Sequence, residues 1–218
     1  MRFKAVIFDF DGTVADTGRG VRNSIKYAVG EFGIPVGDEA ALDYFIGPPL
    51  YESFEHVYGV DSETAAKLVD TYRVYYADKG IYELDVYPGL LELLTKLKAS
   101  GVKLAVASSK PLHFLKTAVD TVGATQYFDY IIGPELNNHK ADKTELIRSA
   151  LNALEITEDN YKDVVMVGDR FYDIEGAKSV GIPSVGITFG YGKRPELENA
   201  GADKIVDSVE ELSAYLSA

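Results

Sequence analysis

The sequence predicts an α/β fold: an open parallel sheet flanked by helices, interrupted early by an inserted α-helical cap domain. Three observations lead there. Short apolar, partly β-branched runs recur along the chain, as strands buried on both faces of a parallel sheet do. Helical stretches with apolar residues three and four apart separate these runs, which is the alternation of βαβ units. One block of about 70 residues, from Ala15 to Leu84, breaks the alternation and is far longer than an ordinary connection.

Taken in order, the first strand spans Lys4 to Phe8 and stops at Asp9 and a turn containing Gly12. The long block carries helical pattern only: Arg19 to Phe32 and Ser62 to Ala77 are amphipathic, and Gly47-Pro48-Pro49 punctuates the middle. It reads as a helical unit inserted after the first strand, with the chain re-entering the core near Tyr87-Pro88-Gly89. A helix with a stripe at Leu90, Leu91, Leu94 and Leu97 follows, then strands at Lys103 to Ala107 and Tyr130 to Ile132. Asp142 is the expected N-cap of a helix over Thr144 to Leu154, whose stripe is Leu146, Ile147, Ala150, Leu151 and Leu154. Strands are expected at Asp163 to Val167, Ser184 to Ile187 and, more weakly, Lys204 to Val206. The closing helix, Val209 to Leu216, packs through Leu212, Tyr215 and Leu216. The expected division is a core of residues 1–14 and 85–218 and a cap of residues 15–84.

Composition narrows the function. The 218 residues carry 22 Lys and Arg against 34 Asp and Glu, a net charge of −12, with 46% apolar and 26% charged residues. That is a soluble globular balance, and its sign argues against a nucleic-acid polymer or an anionic membrane as partner, since both demand a basic face. The absence of cysteine removes disulfides, thiolate metal sites and thiol nucleophiles. The apolar run at the N-terminus is too short for a signal-peptide core, and no window approaches the ~20 apolar residues of a membrane span. The expectation is a cytoplasmic monomer or homodimer. His56, His113 and His139 lie in three separate segments without metal spacing and read as structural or exposed.

The informative residues sit where strands stop. Asp9-Phe10-Asp11-Gly12-Thr13 follows the first strand and Ser108-Ser109-Lys110 the second. Lys143 opens a helix, and Gly168-Asp169-Arg170-Phe171-Tyr172-Asp173 follows the Asp163 to Val167 strand. Ligands of open α/β sheets bind at the carboxyl ends of strands, so these clusters are expected to converge. Each has a plain structural reading alone, as a turn, a helix cap or a solvated lysine; their joint occurrence in this order favours a site. Several carboxylates at one place repel and raise one another's pKa unless a cation neutralises them. With no cysteine or nearby histidine, the matching ion is hard and oxygen-loving, Mg²⁺. Mg²⁺, a lysine, a hydroxyl and backbone amides suit a phosphoryl group. One carboxylate would then act as nucleophile, and the other, two residues on, as acid and base.

Asp-x-Asp-Gly-Thr after the first strand, with Gly-Asp-x-x-x-Asp late in the chain, resembles the haloacid dehalogenase superfamily of phosphotransferases. The resemblance covers nearly the whole chain and implies a Rossmann-like core with an inserted helical cap. Gly47-Pro48-Pro49-Leu50 and Gly168-Asp169-Arg170-x-x-Asp173 are similar to its phosphoglycolate-phosphatase-like branch, which also holds 5′-nucleotidase-like and pyrophosphatase-like members. By position, the resemblance makes Asp9 the nucleophile and Asp11 the general acid/base. It makes Ser108 the phosphate-binding hydroxyl, with Ser109 beside it, and Lys143 the lysine that steadies nucleophile and phosphoryl group. Lys140 is the alternative for that lysine; Lys143 is preferred because it opens the helical stripe. Asp169 would bind Mg²⁺ with Asp9 and the backbone carbonyl of Asp11, and Asp173 would orient that site. The implied activity is a Mg²⁺-dependent phosphomonoesterase acting on a small phosphorylated metabolite such as phosphoglycolate or a nucleoside monophosphate.

Two rivals share parts of this constellation. A phosphosugar mutase of the same superfamily uses the same four clusters. A non-enzymatic receiver-type signalling domain also combines acidic residues with a hydroxyl and a lysine, but it has no use for so long a chain or an inserted helical block. At the periphery, Gly190-Tyr191-Gly192 reads equally as a border of the site and as a flexible loop. Arg19, Arg22 and Lys26 open the first cap helix and read as a solvated face that also lies near the substrate's remote end.

Overall fold

The computed structural model describes residues 1–136 and 142–218; Lys140 and His139 lie outside the described residues. In chain order the strands are β1 (Ala5–Phe8), β2 (Ala15–Asp16), β3 (Asp85–Val86), β4 (Lys103–Ala107), β5 (Tyr130–Ile132), β6 (Val164–Gly168), β7 (Ser184–Ile187) and β8 (Lys204–Val206). The α-helices are α1 (Gly18–Glu31), α2 (Glu39–Asp43), α3 (Leu50–Tyr58), α4 (Ser62–Asp78), α5 (Leu90–Ala99), α6 (Leu112–Thr121), α7 (Lys143–Ala153), α8 (Phe171–Val180), α9 (Arg194–Ala200) and α10 (Val209–Ser217). Six strands form one parallel sheet in the order β5-β4-β1-β6-β7-β8.

The continuous apolar runs follow from this arrangement. β1 lies in the sheet interior, with Ile7 opposite Ala105 of β4 and Met166 of β6. Side chains alternate faces, so Val6, Phe8, Leu104, Val106, Val165 and Val167 join the larger core, which α5, α6 and α10 share. Ala5, Ile7, Ala105, Ala107 and Met166 point the other way, onto Leu146, Ile147 and Leu151 of α7 and Ala177 of α8. Both faces are dry, so neither alternate position tolerates a polar residue. From β1 the chain moves outward through β4 and β5, then returns to place β6 on the other side of β1. The loops after β1 and β6 therefore part at a switch point, where α/β sheets open a crevice.

α1 to α4 form the inserted helical cap region. Ile25 and Val29 of α1 and Leu68, Val69 and Tyr72 of α4 are buried in its interior. Both connections to the sheet pass through a two-stranded antiparallel ribbon, with Ala15 opposite Val86 and Asp16 opposite Asp85. Sequence periodicity finds no strand at these positions because two residues carry no pattern. On α5 the buried stripe is Leu90, Leu93, Leu94 and Leu97, with Leu91 half-buried, as a 3.6-residue turn requires. The other predicted boundaries differ from the observed ones by at most a residue or two. Among the described residues, no helix is long and apolar enough to cross a membrane.

Candidate active site

Asp9 is the first residue beyond β1, and its N–H donates to the Val167 carbonyl at 2.9 Å. The sheet ladder thus runs one residue past the strand and fixes the backbone under a buried carboxylate. Lys143 approaches from the first turn of α7, whose N-cap is Asp142, accepting from the Thr144 N–H at 2.8 Å. Its Nζ donates to Asp9 Oδ1 at 2.8 Å and to the Ala107 carbonyl at 3.1 Å. The same Nζ lies 2.8 Å from Asp173 Oδ1. Asp173 Oδ2 accepts from the Arg170 N–H at 3.1 Å, which satisfies the N-cap amide at the start of α8.

Asp169 follows β6 directly and is fully buried. Its Oδ2 accepts from the Tyr191 N–H at 2.7 Å and its Oδ1 from the Thr13 hydroxyl at 3.3 Å. Gly12 makes room for it. At φ +81° that residue is left-handed, and a Cβ there would stand 2.8 Å from Asp169 Cγ and 2.9 Å from Tyr191 Cδ2, too close for any side chain. One oxygen from each of Asp9, Asp169 and Asp173 lies within 4.8 Å of the other two.

Asp11 turns toward the cap. Its Oδ1 accepts from the Thr17 hydroxyl at 2.6 Å and lies 3.1 Å from Lys110 Nζ. Lys110, whose side chain is only 7% exposed, also donates to the Tyr76 hydroxyl of α4 at 2.7 Å. The second carboxylate of the first motif is therefore linked through one ammonium group to a cap helix. Ser108 is buried, and its Oγ accepts from the Lys110 N–H at 3.3 Å. A cavity of ≈ 80 Å³ opens beside these groups, lined by Asp11, Phe45, Pro48, Tyr72, Ser109 and Lys110 among others.

Burial dominates the electrostatics. It pushes the Asp9 carboxyl up to about 6, with Lys143 opposing and Asp173 and Asp11 adding to the rise. Burial, then Asp173 and Asp9, push Asp169 up to about 8 against the Tyr191 N–H. Burial disfavours the Lys143 ammonium, but Asp173 and Asp9 more than offset it and hold its pKa above the ordinary lysine range. Lys110 is raised likewise, by Asp11 and Tyr76 against burial. One ammonium group thus serves a three-carboxylate cluster that still holds protons near neutrality. A cation among Asp9, Asp169 and Asp173 would complete the charge balance, and an all-oxygen donor set suits a hard dication. The residues fit Mg²⁺.

The strand-end clusters singled out in the sequence thus meet at one crevice. Asp9, Lys143, Asp169 and Asp173 form one buried cluster, and Asp11 and Ser109 line the cavity on the cap side, with Ser108 buried next to Ser109. Arg19 pairs with Asp85 at 3.3 Å and Arg22 with Asp43 at 2.6 Å, outside the cavity lining, and Lys26 is exposed. His56 stacks on Tyr44 and His113 tilts against Phe114. Gly190-Tyr191-Gly192 is a border of the site: besides its N–H on Asp169, Tyr191 donates its hydroxyl to Asp16 in the ribbon. Sequence reasoning passed over Lys110, Thr13, Thr17 and Tyr76. The first two stand inside the quoted clusters; Thr17 and Tyr76 carry no local signal, because only the folded cap brings them to Asp11 and Lys110.

Comparison with known proteins gives consistent results. A family model described as haloacid dehalogenase-like hydrolase matches residues 6–187. A 5′-nucleotidase of Pseudomonas aeruginosa is 36% identical over 90% of this chain and 88% of its own. The tyrosine-protein kinase PtkA of Mycobacterium tuberculosis is 33% identical over 97% of this chain and 72% of its own. A crystal structure of a predicted phosphatase from Clostridium acetobutylicum superposes with a TM-score of 0.93 at 41% identity, covering 100% of this chain and 99% of that one.

Proposed function

Because the chain belongs to the haloacid dehalogenase-like hydrolase family, and is by fold and relatives a phosphatase, we propose that its substrate is a small phosphomonoester. The class includes phosphoglycolate and nucleoside monophosphates, and we assign the reaction to an aspartyl-phosphate on Asp9. The observation that supports this best is Lys143 Nζ, 2.8 Å from both Asp9 and Asp173, which fixes the Asp9 carboxylate beside a buried ammonium group.

In this reading Asp9 attacks phosphorus in line, the bond from phosphorus to the alkoxide breaks, and Asp11 gives its proton to the departing oxygen. Asp11 then takes a proton from water, the resulting hydroxide attacks phosphorus, and the bond to Asp9 breaks. The net change is ester plus water to alcohol plus phosphate. Lys143 and the hydroxyls of Ser108 and Ser109 hold the transferring oxygens. Asp9, Asp169 and the Asp11 carbonyl would hold Mg²⁺, with Asp173 fixing Lys143 beside them. When bound, the ion screens the carboxylates and draws charge from the phosphoryl oxygens. Tyr72, Phe45 and Pro48 close the cavity around the leaving group and keep water from the first step. A cytoplasmic location and a monomer or homodimer suit such a substrate.

The test is phosphate release from a panel of phosphoglycolate, nucleoside monophosphates, pyrophosphate and sugar phosphates with Mg²⁺, using Asp9→Asn as blank. At least one ester should release phosphate, and the folded variant should lose roughly 10³-fold or more of that rate. Wild-type turnover in the variant refutes the mechanism. An isomerised sugar phosphate in place of free phosphate identifies a mutase, and phosphate delivered to a protein tyrosine would follow the mycobacterial relative.

A further inference from the structure

Arg170 stands between Asp169 and the first turn of α8, yet its side chain runs away from the carboxylate cluster. Nε donates to Glu196 Oε1 of α9 at 2.9 Å, and Nη1 donates to the carbonyl of Ile46, in the cap, at 2.9 Å. Glu196 Oε1 also accepts from the Phe171 N–H at 3.0 Å. The guanidinium is thus tethered to the core on one edge, with the other edge presented to the cap. Its side chain is only 12% exposed, and Ile46 is buried.

What the guanidinium holds is the segment joining α2 to α3. Gly47, Pro48 and Pro49 follow Ile46 and line the cavity shared with Asp11, Ser109 and Lys110. Gly47 is left-handed at φ +104°, and a Cβ there would stand 3.4 Å from Arg170 Cγ, so the cap backbone passes directly over the arginine stem. An exposed ion pair contributes almost nothing. Here the partner is a backbone carbonyl beside a buried side chain, which loses its donor if the arginine is removed. The residue is also joined at its backbone to the phosphoryl site, through the Asp169 peptide bond and the N–H on Asp173.

We propose that Arg170 is a positioning residue that clamps the Ile46–Pro49 segment over the phosphoryl site and sets the closed position of the cap. Its bearing on turnover rests on the phosphatase reading; the clamp itself does not. The planar fork serves Glu196 and the Ile46 carbonyl at once, which a lysine ammonium on its single stem does not reproduce.

Hydrogen exchange and steady-state kinetics on Arg170→Ala, Arg170→Lys and Glu196→Gln test this. Loss of one hydrogen bond from a charged donor corresponds to about tenfold or more in a local opening equilibrium. Arg170→Ala should therefore speed exchange of amides 44–47 and 50–54 by about tenfold or more, with β1 and β6 amides unchanged. Arg170→Lys and Glu196→Gln should fall between it and wild type. On an alkyl phosphate substrate, kcat/KM should follow the same order. If Arg170→Ala does not fold, the two milder variants decide. Exchange of the 44–54 amides at wild-type rates in every folded variant overturns the clamp, as does acceleration spread evenly over the sheet. Local acceleration in a protein whose wild type releases no phosphate keeps the clamp and rejects the phosphatase.

Discussion

Gly190→Ala perturbs the candidate site by crowding Asp169, the residue assigned to the metal, without altering any of its atoms. The added Cβ would stand 2.6 Å from both Cβ and Oδ2 of Asp169 and would also collide with the Gly12 carbonyl. No real Cβ sits so close, and two of these three atoms, the Gly12 carbonyl oxygen and Asp169 Cβ, have little freedom to yield. The loop must therefore lift by about 1 Å, and the Tyr191 N–H leaves Asp169 Oδ2, now 2.7 Å away. Overpacking costs about 1–3 kcal/mol, and above pH 8, where Asp169 is ionised, the hydrogen bond to it contributes about 1.5–3 kcal/mol. Taking the low ends, the loss is about 2.5 kcal/mol, within the usual 5–15 kcal/mol of stability, so the variant folds. With an m-value of about 3 kcal/mol/M the urea midpoint falls by about 0.8 M. Displacing a partner that orients a metal carboxylate weakens metal binding about 10–100-fold, so the Mg²⁺ midpoint for phosphate release should rise by that factor. Gly30→Ala is the control: it lies in α1 with nothing within 4 Å of its Cβ and should be neutral or stabilising by up to about 1 kcal/mol. If Gly190→Ala unfolds within about 0.5 kcal/mol of wild type and keeps its Mg²⁺ midpoint, the loop does not brace Asp169 as described.

Three further expectations follow from the same geometry. Asp11→Asn should slow alkyl phosphates about 10²-fold or more and activated aryl phosphates far less; equal losses on both would remove Asp11 from the acid role. Lys110→Met should lower kcat/KM on alkyl phosphates about tenfold or more, because the Asp11 carboxylate loses a buried ionic partner 3.1 Å away, while Tyr76→Phe, which deletes only the hydroxyl beyond it, should cost less; the reverse order contradicts the Lys110–Asp11 link. In metal-free protein Asp9 titrates near about 6 and Asp169 near about 8, both above the unfolded value of 3.8. The folded chain then holds more protons than the unfolded one between pH 4 and 8, so its stability falls as pH rises through that window. Thermal melts in chelator should show the decline, with Mg²⁺ raising the midpoint more at pH 8 than at pH 5; a flat chelator profile would show that the carboxylates are not crowded as described.

How much of this was readable in advance depends on the range of the forces involved. β4 and β7 were legible to the residue because an interior strand buried on both faces writes its demand into nearly every consecutive position, while the edge strands β5 and β8 were legible from short β-branched runs that are only partly buried. The α7 stripe was legible because five core contacts repeat at helical spacing. Asp9, Asp169, Asp173 and Lys143 were singled out because each ends a strand or stands in the first turn of a helix, and topology brings their side chains together. The two strands of the ribbon were not legible, since four residues held by backbone hydrogen bonds leave no hydrophobic signature. Nor was the pairing of Lys110 with Tyr76, where a core loop meets a helix 34 positions earlier. The equal weighting of Gly190-Tyr191-Gly192 between border and loop reflects the same gap: what makes those glycines necessary is Asp169, 21 residues before the first of them, and only packing reveals it.

The ribbon of β2 and β3 makes the cap, topologically, an oversized hairpin loop. Entry and exit are hydrogen-bonded neighbours, Ala15 beside Val86 and Asp16 beside Asp85, a separation that a two-residue turn spans without help. The sheet therefore receives no positional information from whatever fills the interval: its register is complete whether the loop holds two residues or the helices α1 to α4. Closure entropy barely resists such growth, rising only with the logarithm of loop length. An ancestral core could thus have acquired, enlarged or exchanged the module that surrounds the leaving group while the atoms that handle phosphorus stayed in place. The same geometry marks residues 18–84, beyond the Thr17 that donates to Asp11, as the interval to graft when the aim is to change what the pocket accepts.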